Sequence, residues 1–224
     1  IPKSGNLIYF KEDQNTSDVI KSGLWCNEIV IGSNEIEIDL NQKNLIVDTK
    51  KYSLKDLPLP GEHNFKNYVC AILAAKKGGI SIEKSIDSLK KFKGVKRRMD
   101  LVAEVSDTLI YDDFAHHPTA IKMSTESIRE KYPEKKILGI VELGSNTMSS
   151  GYHKDSLIKS FEALDETLLL DHNKVYEYSN GFDSEKEMID HIKTKIVKYD
   201  IILIMTNKDS QKFIKPILEN FENK

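Results

Sequence analysis

The spacing of apolar positions changes character along this chain of 224 residues. Residues 1–56 contain short apolar runs, and residues 35–40 alternate between polar and apolar side chains, which is typical of a strand with one buried face. Turn-forming residues separate these runs, so the pattern predicts a meander of antiparallel strands. Residues 57–61 read LPLPG and end it, because proline fits neither a central strand nor the interior of a helix.

Helical spacing begins at about Asn64. It predicts one helix that ends at the glycines of positions 78–79, and a second helix with Ser81 at its N-cap. The tract 90–98 is strongly basic and contains a glycine, which marks the predicted boundary between two domains, 1–93 and 94–224.

Beyond the boundary, near-continuous apolar runs alternate with helical segments. This order predicts an α/β domain of Rossmann type, with a parallel sheet covered on both faces and functional loops at the carboxyl ends of its strands. The predicted strands are 108–112, 137–141, 167–170 and 201–205, and the predicted helices are 118–132, 154–163, 185–197 and 210–221.

Composition narrows the class of protein. With 33 basic and 35 acidic residues the net charge is -2, so no global field attracts nucleic acid or an acidic membrane surface. No apolar run approaches the roughly 20 residues of a membrane-spanning helix. Two cysteines, Cys26 and Cys70, suggest no disulfide framework and fit a reducing cytoplasm. A first residue that is Ile rather than Met predicts a piece of a longer protein.

The densest polar cluster reads YDDFAHHPT at residues 111–119, where a predicted strand ends and a helix begins. The first-turn amides of such a helix suit a phosphate group, a histidine can donate to a phosphoryl oxygen, and a carboxylate can accept from a ribose hydroxyl. The alternative is that Asp112 or Asp113 caps the helix while His117 packs. Zinc is disfavoured, because adjacent histidines diverge and no second ligand pair follows at a familiar spacing.

Two amides, Asn64 and Asn67, lie three residues apart at a predicted helix start and can together read a purine edge. The alternative is that Asn64 caps the helix and Asn67 is solvated. An arginine of the basic tract can engage phosphate or ribose when domains close. The loop 142–148 follows a strand and can hold a substrate, although its composition is ordinary for a loop.

Several motifs are missing from this sequence. It contains no Gly-x-Ser-x-Gly elbow, no Gly-x-Gly-x-x-Gly turn and no Gly-x-x-x-x-Gly-Lys-Ser/Thr phosphate loop. The missing glycine turn disfavours a Rossmann dehydrogenase.

Taken in order, the segments 61–67, 94–99, 111–121 and 145–148 resemble the C-terminal portion of the Mur ligases. The string DDFAHHPT is highly specific, and its Phe114 and Ala115, with SNTM at 145–148, favour the branch that acts in peptidoglycan recycling. A neighbouring branch, which adds L-alanine to UDP-N-acetylmuramate, has Tyr-Gly at those two positions. By this resemblance, 1–93 is the back of a central ATP-binding domain and 94–224 is a peptide-binding domain.

The resemblance implies an ATP- and Mg²⁺-dependent ligase that joins UDP-N-acetylmuramate to a murein tripeptide, L-Ala-γ-D-Glu-meso-diaminopimelate, through an acyl phosphate. The family's phosphate loop and magnesium-binding acid lie upstream of this sequence, so the chain alone is expected to be inactive. The residues implied for ATP are Asn64 and Asn67 at the adenine, Arg98 and Asp113 at the nucleotide and ribose, and His116, the implied catalytic residue, at the phosphates. The residues implied for the tripeptide are Ser145, Asn146, Thr147 and Met148.

Two departures from the family pattern concern the substrate. Leu143 and Gly144 replace a usual Pro-Arg, which removes an expected carboxylate clamp. Residues 206–210 replace an expected glycine-rich segment. An L-alanine-adding relative and a non-catalytic nucleotide- or peptide-binding module therefore remain as alternatives.

Overall fold

The computed structural model describes residues 1–145, 148 and 150–222. The chain divides into two compact units, unit 1 (Ile1–Lys93) and unit 2 (Gly94–Lys224). What each unit is within a ligase stays a prediction. None of the helices described combines the length and apolar character that a membrane span requires.

Unit 1 begins with β1 (Asn6–Phe10), α1 (Gln14–Lys21) and β2 (Asn27–Ile31), and the two strands pair in parallel. The predicted antiparallel meander is wrong here, because a helix crosses between the strands and parallel pairing needs such a crossover. Asp13 caps α1, its Oδ1 accepting from the Asn15 amide at 3.1 Å. This helix was not predicted from the sequence.

The meander is confirmed in the next three strands of unit 1. They are β3 (Ile36–Asp39), β4 (Asn44–Val47) and β5 (Lys50–Ser53), which pair in antiparallel order. The predicted helices follow as α2 (Glu62–Lys77) and α3 (Ile82–Leu89). Ser81 caps α3 as predicted, its hydroxyl accepting from the Lys84 amide at 3.2 Å.

Unit 2 is the predicted α/β domain. Its strands are β6 (Asp100–Val105), β7 (Thr108–Asp113), β8 (Ile137–Glu142), β9 (Glu166–Leu170), β10 (Gly181–Phe182) and β11 (Ile201–Met205). Its helices are α4 (Pro118–Lys131), α5 (Lys154–Lys159), α6 (Glu185–Lys195) and α7 (Gln211–Glu222), with a 3-10 turn at Ile196–Lys198. The sheet order is β10-β9-β8-β11-β7-β6.

All pairings in this six-stranded sheet are parallel except that of β6 with β7. The edge strand β6 was not predicted. Its residues Leu101 and Val102 are exposed, so it lacks the buried apolar run that marks the other strands.

Every residue of β8 and β11 is buried, because helices cover both faces of the sheet. Leu203 packs in one core with residues of α4 and α5, whereas Ile204 packs in the other with residues of α6 and α7. Met205 pairs with Asp113 on one side and with Val141 on the other. The carboxyl ends of β7, β11 and β8 therefore meet at one edge, which is the place where an α/β sheet presents its ligand-binding loops.

Candidate functional site

The turn between β7 and α4 is held by the buried side chain of Asp113. Its Oδ2 accepts from the Met99 amide at 2.7 Å, and its Oδ1 accepts from the Ala115 amide at 2.7 Å and the Ser124 hydroxyl at 3.1 Å. Burial raises the pKa of Asp113, and these hydrogen bonds oppose the rise. Asp113 therefore holds the turn in place.

Asp112 ties the same turn to the loop after β11. Its Oδ2 accepts from the Arg97 Nε at 3.2 Å and from the Ser210 hydroxyl at 2.8 Å. Arg97 also donates from Nη2 to the Thr206 carbonyl at 2.7 Å. Neither aspartate caps α4, whose N-cap is His117, so the alternative reading of the two carboxylates as helix caps is wrong.

Two adjacent arginines take different positions. The guanidinium carbon of Arg97 lies 5.2 Å from the ring centre of Phe114 and that of Arg98 lies 5.9 Å from it. Arg97 is half-buried in its contacts with Asp112, whereas Arg98 is exposed. Arg98 thus keeps its donors toward solvent, beside an aromatic ring that is 36% exposed. Its predicted role at the nucleotide stays a prediction.

The two histidines lie on the outer side of the turn. The Nδ1 of His116 lies 2.8 Å from the Phe114 carbonyl oxygen, and the His116 ring meets the Phe114 ring edge-on. His117 is exposed, and its ring contacts that of His153, with centroids 4.6 Å apart. Burial, followed by the charges of His153 and His116, lowers the pKa of His117. The predicted packing of His117 is thus limited to an edge contact.

The loop after β8 starts at a buried carboxylate. Glu142 accepts from the Thr206 hydroxyl at 2.6 Å and from the Lys212 ammonium at 2.7 Å, and Lys212 also pairs with Glu185 at 2.9 Å. Lys212 and Glu185 were missed by sequence reasoning, whereas Glu142 and Thr206 lie in the segments 142–148 and 206–210 that it singled out. Glu142 ends β8 and Thr206 directly follows β11, at the same sheet edge, whereas Lys212 and Glu185 lie on the first turns of α7 and α6.

Of the four residues predicted to contact the tripeptide, Ser145 and Met148 are described. The Ser145 hydroxyl accepts from the Met148 amide at 3.3 Å. The Met148 side chain is fully buried in the core, and its carbonyl accepts from the Tyr176 hydroxyl at 2.6 Å. Asn146 and Thr147 lie outside the described residues.

Asn64 and Asn67 belong to unit 1, on the first turns of α2. The N-cap of α2 is Gly61 at φ +92°, so the alternative that Asn64 caps the helix is wrong. Asn64 donates to the Pro60 carbonyl at 2.7 Å, and its amide oxygen is not used in that bond. Asn67 is exposed. Both amides keep hydrogen-bonding capacity for a ligand.

A metal site needs several ligating side chains close together. Within the described part of the chain, no three His, Cys, Asp or Glu side chains come together as a metal-binding group. The acids at the sheet edge already accept hydrogen bonds from Arg97, Thr206 and Lys212. These residues therefore do not themselves form a Mg²⁺ cage.

A family model and two relatives indicate the same protein family. The family model for the "Mur ligase, glutamate ligase domain" matches residues 97–208. The UDP-N-acetylmuramate–L-alanyl-gamma-D-glutamyl-meso-2,6-diaminoheptandioate ligase of Escherichia coli (strain K12) is 32% identical over 177 residues, covering 76% of this chain and 39% of that protein. The UDP-N-acetylmuramate–L-alanine ligase of Caldanaerobacter subterraneus subsp. tengcongensis is 29% identical over 234 residues, covering 99% of this chain and 49% of that protein.

A solved structure agrees with these relatives. The crystal structure of a murein peptide ligase from Psychrobacter arcticus matches with a TM-score of 0.72 and 28% identity, covering 100% of this chain and 52% of that one. The chain spans 39% to 52% of the length of these three relatives.

Proposed function

The chain belongs to the Mur ligase family, and on that premise we propose that it forms the C-terminal half of an ATP-dependent, amide-forming ligase. The whole enzyme would join UDP-N-acetylmuramate to the tripeptide L-Ala-γ-D-Glu-meso-diaminopimelate in peptidoglycan recycling. The name of the Escherichia coli relative supports this pair of substrates, and that of the Psychrobacter arcticus relative, a murein peptide ligase, supports a murein peptide as one of them.

The observation that carries the proposal is the turn between β7 and α4. Its buried side is held by Asp112 and Asp113, while Phe114 and the two histidines remain accessible at the sheet edge. A turn whose shape is set before a ligand arrives binds that ligand at a low entropic cost. The turn also lies inside the segment that matches the family model.

The nucleotide would bind to this turn through its phosphates. The side chain of His117, the N-cap of α4, accepts no hydrogen bond from the first turn of the helix, so amide donors there suit phosphoryl oxygens. We assign His116 to the phosphates and Arg98 to the nucleotide. We assign Asp113 to the ribose side of the nucleotide, at the turn that its three hydrogen bonds hold in place.

In unit 1, Asn64 and Asn67 are assigned to the adenine side of ATP. Mg²⁺ would arrive with the phosphates, which are its usual ligands together with water and a few carboxylates. When bound, ATP supplies the phosphoryl group that turns the substrate carboxylate into an acyl phosphate. The peptide amine then forms the amide bond as phosphate leaves, and the residues of this chain position the reactants.

Calorimetry on the 224-residue chain tests this proposal. We expect it to bind the tripeptide and ADP separately, and to release no ADP from a mixture of ATP, UDP-N-acetylmuramate and tripeptide. His116→Ala should weaken ADP binding several-fold, whereas His172→Ala, a change outside the turn, should not. Failure to bind the tripeptide would contradict the proposed substrate. Turnover by the chain alone would contradict the expectation that phosphate-binding elements lie elsewhere.

A second candidate is an L-alanine-adding ligase, because a relative with that activity in its name covers 99% of this chain. The two candidates predict opposite rankings of ligands. Stronger binding of the tripeptide than of free L-alanine favours the first, and the reverse order favours the second.

A non-catalytic module would bind ligands but yield no product when the chain is combined with the N-terminal half of a relative.

A further inference from the structure

The loop after β8 and the loop after β11 are in close contact at the carboxyl edge of the sheet in unit 2. A Cβ atom built on Gly144 would lie 2.0 Å from Oδ1 of Asn207, and 2.8 Å and 2.9 Å from Cε and Cγ of Lys208. Contacts below 3.0 Å are not compatible with a real side chain. The Asn207 amide and the Lys208 methylenes therefore occupy the volume beside Gly144, and position 144 must remain without a side chain while they do.

The loop that carries Lys208 is anchored. The Lys208 amide donates to the Thr206 hydroxyl at 3.0 Å, and that hydroxyl donates to Glu142 at 2.6 Å. The loop after β11 is thereby tied to the end of β8. Lys208 is an exposed lysine whose stem rests on the neighbouring loop.

Two acids at this edge already have basic partners. Glu142 pairs with Lys212, and Asp112 pairs with Arg97. In the part of the chain that the structure describes, Lys208 forms no ion pair. The adjacent carboxylate, Asp209, accepts from the Gln211 amide at 3.0 Å. Lys208 thus adds an exposed ammonium, with no ion-pair partner of its own, to this edge of the sheet.

The side chain of Asn207 packs between the two loops. Oδ1 of Asn207 is enclosed and has no hydrogen-bond partner among the described residues. Because this oxygen lies against Gly144, it is packed between the two loops and is closed to a ligand while the loops keep this arrangement. Asn207 thus fills the space beside Gly144, and Lys208 offers the accessible charged group of the pair.

We propose that Lys208, held over Gly144 beside Asn207, binds a carboxylate of the incoming amine substrate and selects for it. This inference rests on the proposed function, since the substrates in the relatives' names, L-alanine and the diaminoheptandioate peptide, both carry free carboxylates. Lys208 acts here as a binding residue and has no part in phosphoryl transfer.

Titration calorimetry of the 224-residue chain with a set of peptides provides the test. The probes are L-Ala-γ-D-Glu-meso-diaminopimelate and three analogues, each with one of its carboxylates converted to a carboxamide. Lys208→Met should weaken binding of the parent peptide about tenfold, as expected for loss of a hydrogen bond to a charged group. Lys208→Arg should retain most of the affinity, and Lys215→Met, an exposed lysine on α7, should leave it unchanged.

The decisive result is whether the affinity lost with Lys208→Met depends on which carboxylate the peptide lacks. One carboxamide analogue should bind wild type about tenfold more weakly and should lose nothing further with Lys208→Met, because both changes remove the same contact. Additive losses for all three analogues, or full affinity in Lys208→Met, would overturn the assignment of Lys208 while leaving the ligase proposal intact. Absence of any peptide binding by wild type would contradict both.

Discussion

The two units differ in how they cover their parallel strands. In unit 2, β8 and β11 have parallel neighbours on both sides and bury every residue. In unit 1, β1 and β2 pair only with each other, and α1 buries none of its residues. Val19 of α1 is 72% exposed and Trp25 is 65% exposed, beside an apolar groove of about 420 Å³.

The difference shows what a parallel sheet requires. Parallel strands are apolar on both faces and are stable when two layers cover them. Unit 2 meets this requirement with helices on each face, so its turn at the sheet edge rests on a rigid base. The β1–β2 pair of unit 1 is left partly covered, and its apolar side chains contribute correspondingly less to stability.

The largest effect should come from a core truncation in unit 2. Ile204→Ala removes a fully buried side chain from β11 and should lower the free energy of unfolding by about 2–5 kcal/mol. Val19→Ala in α1 should change it by less than about 0.5 kcal/mol, since the side chain is mostly exposed. Urea titrations followed by far-UV circular dichroism measure both. Trp25, the single tryptophan, reports unit 1 by fluorescence. Equal losses in the two variants would contradict the contrast between the units.

A smaller difference in the free energy of unfolding should separate the adjacent arginines Arg97 and Arg98. Arg97→Met leaves the buried Asp112 without its cation, and breaking a buried pair from one side costs about 3 kcal/mol. Arg98→Met should cost less than about 0.5 kcal/mol. The matched control is Arg97→Met combined with Asp112→Asn, which should recover part of the loss in the same urea titration. A stable Arg97→Met variant would show that the turn does not depend on this pair.

The smallest effect should be a pH dependence at Asp113. Burial raises its pKa in the folded chain, so the folded state holds this proton more tightly than the unfolded state does. The favourable contribution is complete below the unfolded value of about 3.9 and is lost as pH rises through the folded pKa. The stability of wild type relative to Asp113→Asn should therefore fall with rising pH and then level off. Urea midpoints measured across the acid range check this, and a difference that grows with pH would contradict it.

The sequence predicted the α/β unit well because its apolar runs and helical segments alternate in order. The prediction failed for the elements whose side chains are only partly buried. The edge strand β6 exposes Leu101 and Val102, and α1 has no buried face, so neither carries a strong periodic signal. The parallel pairing of β1 with β2 could not be predicted once α1 had been missed.

The position of the candidate site at a strand end could be predicted from the sequence, but the contacts between its side chains could not. Adjacent arginines look equivalent in sequence, and the difference arises from tertiary contacts. Arg97, at φ +58°, reaches the carbonyl of Thr206, which lies 109 positions away along the chain. The same holds for Lys208 and Gly144, whose contact depends on two strands lying side by side.

The close approach at Gly144 limits how this edge of the sheet can be redesigned. A side chain added at position 144 would displace the side chains of Asn207 and Lys208 that now fill the space beside it. A library that varies residues 144, 207 and 208 together would therefore sample more side-chain arrangements at this edge than one that varies a single loop.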